Sequence, residues 1–265
     1  MMTYPSALTR ILTPAVVVFA LAACGADSPA PESAEPTTAA PPTAIEAEPA
    51  LNTLTTEQSA AGWQLLFDGT RLDAWRGSQL EGLAAGWTAD DGAIHFVPPG
   101  EGEGERGDLI TREQYANFEL TLDWAVTTGG NSGVMFRVSE DGDSSYFSGP
   151  EIQILDNVAH RDGLKAETSA GSNYAIHGPP SDLTRPIGEF NEARLRVDGA
   201  QVTQWLNGVE QVSYELWSDE WTQLVAASKF SQWPQYGMNK SGHIALQDHG
   251  NEIWIRNIKI LVLDD

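Results

Sequence analysis

The chain has 265 residues, with 15 Lys and Arg against 37 Asp and Glu and a formal net charge of −22. A surface this acidic repels phosphate backbones and argues against nucleic acid as a partner. A single Cys excludes an internal disulfide and a thiolate metal cluster, while 41% hydrophobic residues suits a globular domain.

The N-terminus has the build of an export signal. Arg10 precedes an apolar run over 11–21, followed by Ala22, Ala23, Cys24 and Gly25. The run is about half of the roughly 20 residues that a membrane-spanning helix requires, which fits a signal-peptide core and a small-residue cleavage site. The Leu21-Ala22-Ala23-Cys24 segment resembles a bacterial lipoprotein signal, with Cys24 as the lipidated first residue. Residues 1–23 are then the signal. Residues 24–60 form an acidic tether rich in Pro and Ala, which has too little apolar surface to offset its ordering entropy. The expected location is the cell envelope, through a lipid anchor. The outer membrane or periplasmic side is favoured for a Gram-negative host, because Gly25 is not the Asp that favours inner-membrane retention.

From 61 to 265 the pattern is that of β structure. Phe118, Leu120, Leu122, Trp124 and Val126 alternate with more polar neighbours, as do Val134, Phe136 and Val138. Ile152 and Ile154 alternate with Glu151 and Gln153, and Ile244 and Leu246 with His243 and Ala245. Ile253 and Ile255 have the opposite parity to Ile258 and Ile260, which predicts a bulge near Asn257. Asn207-Gly208 between two alternating runs predicts a tight hairpin. No amphipathic helix longer than about two turns is expected. About a dozen strands in a domain of this size predict an all-β fold: a jelly-roll sandwich of two antiparallel sheets with a concave face.

Alternation also selects candidate site residues, because it projects Arg137, Glu151, Gln153, Gln247 and His249 away from the apolar faces of their strands. Glu151 and Gln153 place a carboxyl beside an amide. His243 and His249 are separated by roughly 20 Å along an extended strand, so one ion cannot bridge them within it. Lys229 lies near Trp233 and Tyr236, and exposed rings suit the apolar faces of sugars. Asp248 either orients His249 or satisfies a buried arginine such as Arg256.

Taken together, GWQLLFDG at 62–69, GNSGVMFR at 130–137, EIQILD at 151–156, WLNG at 205–208, GHIALQDHG at 242–250 and RNI at 256–258 resemble the 3-keto-disaccharide hydrolase domain family. Two residues depart from the family's pattern: Gln204, where His is usual, and Phe190, where Trp is common. The resemblance implies a concanavalin-like jelly roll that cleaves sugars oxidised at C3. A 3-ketone acidifies the C2 hydrogen; a base removes it, the enolate expels the glycosidic oxygen, and water adds back. Glu151 or His249 is the expected base or acid. Arg137 or Lys229 is expected to hold the enolate oxygen, with a divalent metal as an alternative. Asn131, Gln153, Gln247, Tyr174, Asp156, His160 and Trp233 are the expected sugar contacts. The partner is a small sugar that an upstream 3-dehydrogenase would supply. The competing class is a non-catalytic carbohydrate-binding module, which jelly rolls also host.

Overall fold

The computed structural model describes residues 50–264. The expected signal, Cys24 with its expected lipid, and most of the expected tether lie outside them. In chain order the strands are β1 (Gln64–Leu65), β2 (Trp75–Gly77), β3 (Trp87–Asp90), β4 (Ala93–Phe96), β5 (Leu109–Thr111), β6 (Phe118–Val126) and β7 (Asn131–Val138). They continue with β8 (Glu151–Leu155), β9 (Asn191–Asp198), β10 (Gln201–Leu206), β11 (Val209–Glu215), β12 (His243–Leu246) and β13 (Ile253–Val262). Eight strands form one sheet in the order β11-β10-β9-β6-β13-β4-β3, with β1 added against β13, and five form a second in the order β2-β5-β12-β7-β8. All the strand pairings are antiparallel. This is the jelly-roll sandwich that the alternation predicts.

The core lies between the sheets. Phe118, Leu120, Leu122 and Trp124 of β6 meet Val134 and Phe136 of β7 and Ile152 and Ile154 of β8 in one cluster. Each large side chain withdrawn this way contributes roughly 2–3 kcal/mol. Asn207 and Gly208 both take positive φ, 50° and 79°, between β10 and β11, the backbone of a two-residue hairpin turn.

Two bulges set which way side chains point. On β13 the register slips between Arg256 and Lys259, and Asn257 takes φ 53°. Ile258 and Ile260 are thereby returned to the core with Ile253 and Ile255. Asn257 is held there by Asn52: the Asn52 amide donates to Asn257 Oδ1 at 2.7 Å, and the Asn257 amide donates to Asn52 Oδ1 at 2.8 Å. A short helix, α1 (Thr56–Ala60), follows, closed by a capping box between Thr55 and Gln58. The chain is therefore tied to the domain from Asn52, earlier than the expected start at 61.

The second bulge corrects the reading of β7. Two residues of β7, Phe136 and Arg137, lie opposite one of β12, because His243 pairs with Val138 while Ala245 pairs with Met135. Arg137 takes φ 52°. Val138 is shifted off the face of Val134 and Phe136 and joins Met135, Ile110 and Ala245 in a small cluster covered by Tyr146.

A second element departs from the sequence pattern. Asp219–Ala227 forms a nine-residue helix, α2, in which Ser218 caps the Trp221 amide and Trp221 alone is buried. From it runs a column of near-parallel rings. Ring centroids are 4.9 Å apart for His177 and Tyr214, 5.6 Å for Tyr214 and Trp221, and 5.9 Å for Trp221 and Tyr236. Phe230 ends the column 3.8 Å from Tyr236.

Candidate active site

A cavity of about 310 Å³ is lined by Asn131, Tyr146, Glu151, Gln153, Tyr174, Lys229, Trp233, Gln247 and His249. It lies on the outer face of the five-stranded sheet. Asn131 and Gly133 of β7 share that face with Glu151 and Gln153 of β8, since Gly133 pairs with Gln153 and Met135 with Glu151. β12 ends at Leu246, so Gln247 and His249 come from the turn that follows. Gln247 is anchored by its amide donating to Gly133 O at 2.9 Å and its carbonyl accepting from Ser132 Oγ at 2.8 Å.

Glu151 is 4% exposed. Its carboxyl fills the space that a side chain at 133 would take: a Cβ on Gly133 would stand 2.0 Å from Glu151 Oε1 and 2.6 Å from its Cδ. With its amide turned to satisfy both neighbours, Gln153 donates to Ser132 O at 2.8 Å and to Glu151 Oε1 at 3.3 Å. Burial pushes the Glu151 carboxyl up to about 8; Lys229 pulls it down, and the charges of Asp108 and Asp162 add to the rise.

Lys229 opens a turn of 3₁₀ helix over Lys229–Gln232, capped by Ser228. The residue is exposed, but its Nζ sits 4.2 Å from the centroid of the Tyr174 ring, a cation–π contact. Loss of water around the ammonium lowers its pKa, against the charges of Glu151 and Asp162. The Tyr174 hydroxyl donates to Asp162 Oδ2 at 2.9 Å. Trp233 forms an aromatic wall with Phe147, stacked at 4.8 Å, and Tyr146, edge-on at 5.3 Å.

His249 stands at the exposed rim. Its Nε2 lies 3.5 Å from Asn131 Nδ2, and its Nδ1 lies 3.4 Å from Asn251 Oδ1. The Asn251 oxygen favours the tautomer with hydrogen on Nδ1, leaving Nε2 to face the Asn131 amide.

Eight of the twelve expected residues thus meet in one cavity: Glu151, His249, Lys229, Gln153, Asn131, Gln247, Tyr174 and Trp233. The other four do not line it. Arg137 is turned by its bulge to the end of the sandwich, where it donates to Ala116 O at 2.7 Å and Gly199 O at 2.9 Å. It is a brace between the sheets and not an anion holder. Asp248 pairs with Arg106, whose Nε donates to Asp248 Oδ2 at 2.9 Å, and not with Arg256. Arg256 instead stacks over Phe190 at 3.6 Å. Asp156 accepts from the amides of Gly129, Val158 and Ala159. Burial works against its charge, but these donors hold its carboxyl low. It lines a separate cavity beside Trp124. His160 lies near but outside, its ring 6.3 Å from that of His249.

Sequence reasoning passed over three residues. Tyr146 comes from the 3₁₀ turn Ser145–Phe147, Gly133 has no side chain to notice, and Asp108 acts on Glu151 from just before β5. A second, outer cavity of about 560 Å³ adjoins it, with Tyr146, Gln247 and His249 in the lining of both. Among the described residues no three His, Cys, Asp or Glu side chains gather as ligands for a metal ion. The cavity's own cation is Lys229. The two departures from the sequence pattern lie elsewhere: Gln204 is buried and donates to the Tyr214 hydroxyl at 3.3 Å, and Phe190 lies under Arg256.

Comparison with known proteins identifies the family. The model of a family described as the 3-keto-alpha-glucoside-1,2-lyase-like domain matches residues 62–261. The chain belongs to this family. It is 37% identical over 231 residues to a 3-keto-disaccharide hydrolase of Bacteroides thetaiotaomicron, covering 77% of this chain and 80% of the relative. A Parabacteroides distasonis protein described as a glycosyl hydrolase superimposes with a TM-score of 0.75 at 30% identity, over 81% of this chain and 100% of that one. A second from the same organism gives 0.57 at 29% identity, over 76% and 99%. This member of the lyase-like domain family is a hydrolase, and its Glu151, Lys229 and His249 all lie inside the matched span.

Proposed function

We propose that this protein cleaves 3-keto-glycosides by elimination across C1–C2 followed by hydration. The observation that carries the reading is a buried carboxyl, held near 8, in one cavity with an ammonium and an imidazole. The three groups match the three consecutive demands of the reaction. Glu151 takes the C2 proton, Lys229 holds the oxygen that becomes anionic at C3, and His249 at the rim, entering with hydrogen on both nitrogens, gives its Nε2 proton to the oxygen leaving C1. A carboxyl raised toward the working pH is a stronger base than an ordinary one, and so better matched to a carbon acid. Lys229, partly stripped of water, is a stronger electrostatic partner than it would be in solution.

Loss of the C2 hydrogen and the C1–O bond leaves an enone with C1=C2 conjugated to the ketone. Water then adds at C1, giving its proton to the imidazole, while Glu151 returns its proton to C2. Both groups end as they began, and the net change is hydrolysis. The wall of Trp233 and Tyr146 offers the apolar face of a sugar ring a surface, and Asn131, Gln153 and Gln247 are amides for its hydroxyls. The relative's name as a 3-keto-disaccharide hydrolase supports the substrate class. A carbohydrate-binding module has no need of the raised carboxyl or the ammonium beside it.

The test is turnover of 3-keto-trehalose or a methyl 3-keto-glucoside by the purified domain. Glu151→Gln should lower kcat by about 10³-fold, within the range for general base catalysis, with circular dichroism unchanged. For the wild-type protein kcat/KM should rise with pH up to about 8, as the carboxyl ionises, and fall at higher pH where the general acid loses its proton. Near-normal turnover by Glu151→Gln would remove Glu151 from the mechanism. The reading extends to the cell: Cys24 carries the anchor, placing the enzyme in the envelope, where a 3-dehydrogenase supplies its oxidised sugar.

A further inference from the structure

The space containing Glu151 does not end at His249. Beyond the shared wall of Tyr146, Gln247 and His249, the outer cavity is the larger of the two, at about 560 Å³ against 310 Å³. It contains neither the base nor the ammonium. A glycoside has two parts joined at one oxygen, and the two adjoining compartments share the imidazole in their lining. At that junction the Gln247 Oε1 is buried without a partner, an acceptor placed for a hydroxyl.

We propose that the outer cavity is the leaving-group subsite, and that its wall selects neutral or cationic sugars over anionic ones. The inference rests on the function proposed above. The selection follows from the charges. Four carboxyls line the outer cavity, from Glu105, Asp108, Asp143 and Asp248, with one guanidinium, that of Arg106. Arg106 is taken up by Asp248. Glu105, Asp108 and Asp143 are left facing whatever enters. Asp108 is fixed by the Asp248 amide, which donates to its Oδ1 at 2.9 Å; burial raises its pKa and so favours its neutral form, which leaves Glu105 and Asp143 as the main source of negative charge. A carboxylate, sulfate or phosphate on the incoming sugar would meet like charge from these carboxyls at short range. An ammonium would be welcomed. Beyond Tyr146 and His249 the wall carries no ring, so it is built for hydroxyl groups and not for a flat aromatic aglycone.

The experiment compares kcat/KM for 3-keto-glucosides that differ only in the leaving group: methanol, glucose, glucosamine and glucuronate. The glucuronate should react at least about tenfold more slowly than the glucose compound, and the glucosamine at least as fast, as expected for one extra charge near several carboxyls. Glu105→Gln with Asp143→Asn, both exposed positions, should shrink the glucose-to-glucuronate ratio several-fold. Ser144→Trp should plug the outer cavity, since Ser144 makes no side-chain cap bond. It should cut kcat/KM for the glucose compound about tenfold and leave the methyl compound within about twofold. Equal rates for glucose and glucuronate, or a plug that affects methyl and glucose compounds alike, would overturn the subsite. Failure of the wild-type protein on the methyl compound would overturn the functional reading itself, and the subsite with it.

Discussion

Replacing Glu151 by Gln should cut kcat about 10³-fold and make the protein more stable, and the gain should depend on pH in a way fixed by the site. The carboxyl's ordinary value of 4.5 is pushed up to about 8 by burial. Below pH 4 it is protonated in both the folded and the unfolded chain and contributes no difference. Between 4.5 and 8 the unfolded chain releases the proton and the folded chain keeps it, so stability falls as pH rises. At about 1.4 kcal/mol per pH unit, the loss is about 3 kcal/mol at pH 7 and about 5 kcal/mol above pH 8. Gln has no proton to lose and is free of this loss, although Lys229 then lacks its counter-charge, which trims the gain at high pH. For a domain of this size 1 kcal/mol moves the melting temperature by roughly 2–4 °C. Thermal melts of the two proteins should coincide at pH 4 and separate by about 6–12 °C at pH 7. Curves that coincide across the range, or differ by an offset independent of pH, would refute a buried carboxyl held near 8.

Other perturbations test the supports of the site. Gly133→Ala would put a Cβ 2.0 Å from Glu151 Oε1, displacing the carboxyl by about an ångström; kcat should fall on the order of 100-fold with little change in melting temperature, measured by turnover and calorimetry. Arg137→Met leaves the Ala116 and Gly199 carbonyls without their donor and should cost about 2–4 kcal/mol in urea unfolding, while kcat of the folded fraction stays near normal; a selective loss of kcat would return Arg137 to the site. Cys24→Ser should end palmitate labelling in the native host, and labelling that persists would refute the anchor.

Much of the fold is written in the alternation of β6, β8, β9 and β13, because each strand turns one apolar face to the core and the period of two shows it. The Asn207-Gly208 turn and the Asn257 bulge were legible for the same reason: a local backbone requirement left a local mark. The bulge at Arg137 left none, since Phe136, Arg137 and Val138 alternate like an unbroken strand. The slip is visible only in the pairing with β12, and it sends the guanidinium away from the cavity. α2 was marked by Ser218 and the acids Asp219 and Glu220, but with one buried residue it has no periodic stripe. The site was half legible. Glu151, Gln153, Lys229 and His249 bear chemistry on their own account, whereas Asp108, Tyr146 and Gly133 matter only through the neighbours that the topology gives them.

The column of rings from His177 to Phe230 has a consequence for how the enzyme keeps its cation. Lys229 adjoins Phe230, the last ring, and its Nζ lies 5.1 Å from that ring's centroid. The pile below is seated on β11 through Tyr214 and on α2 through Trp221, and neighbouring rings of this kind add about 0.5–1.5 kcal/mol a pair beyond their buried area. The ammonium is thus mounted on a post driven into the sandwich and not on a swinging flap. Such a mount needs no closing motion to bring the ammonium to the cavity that Glu151 lines.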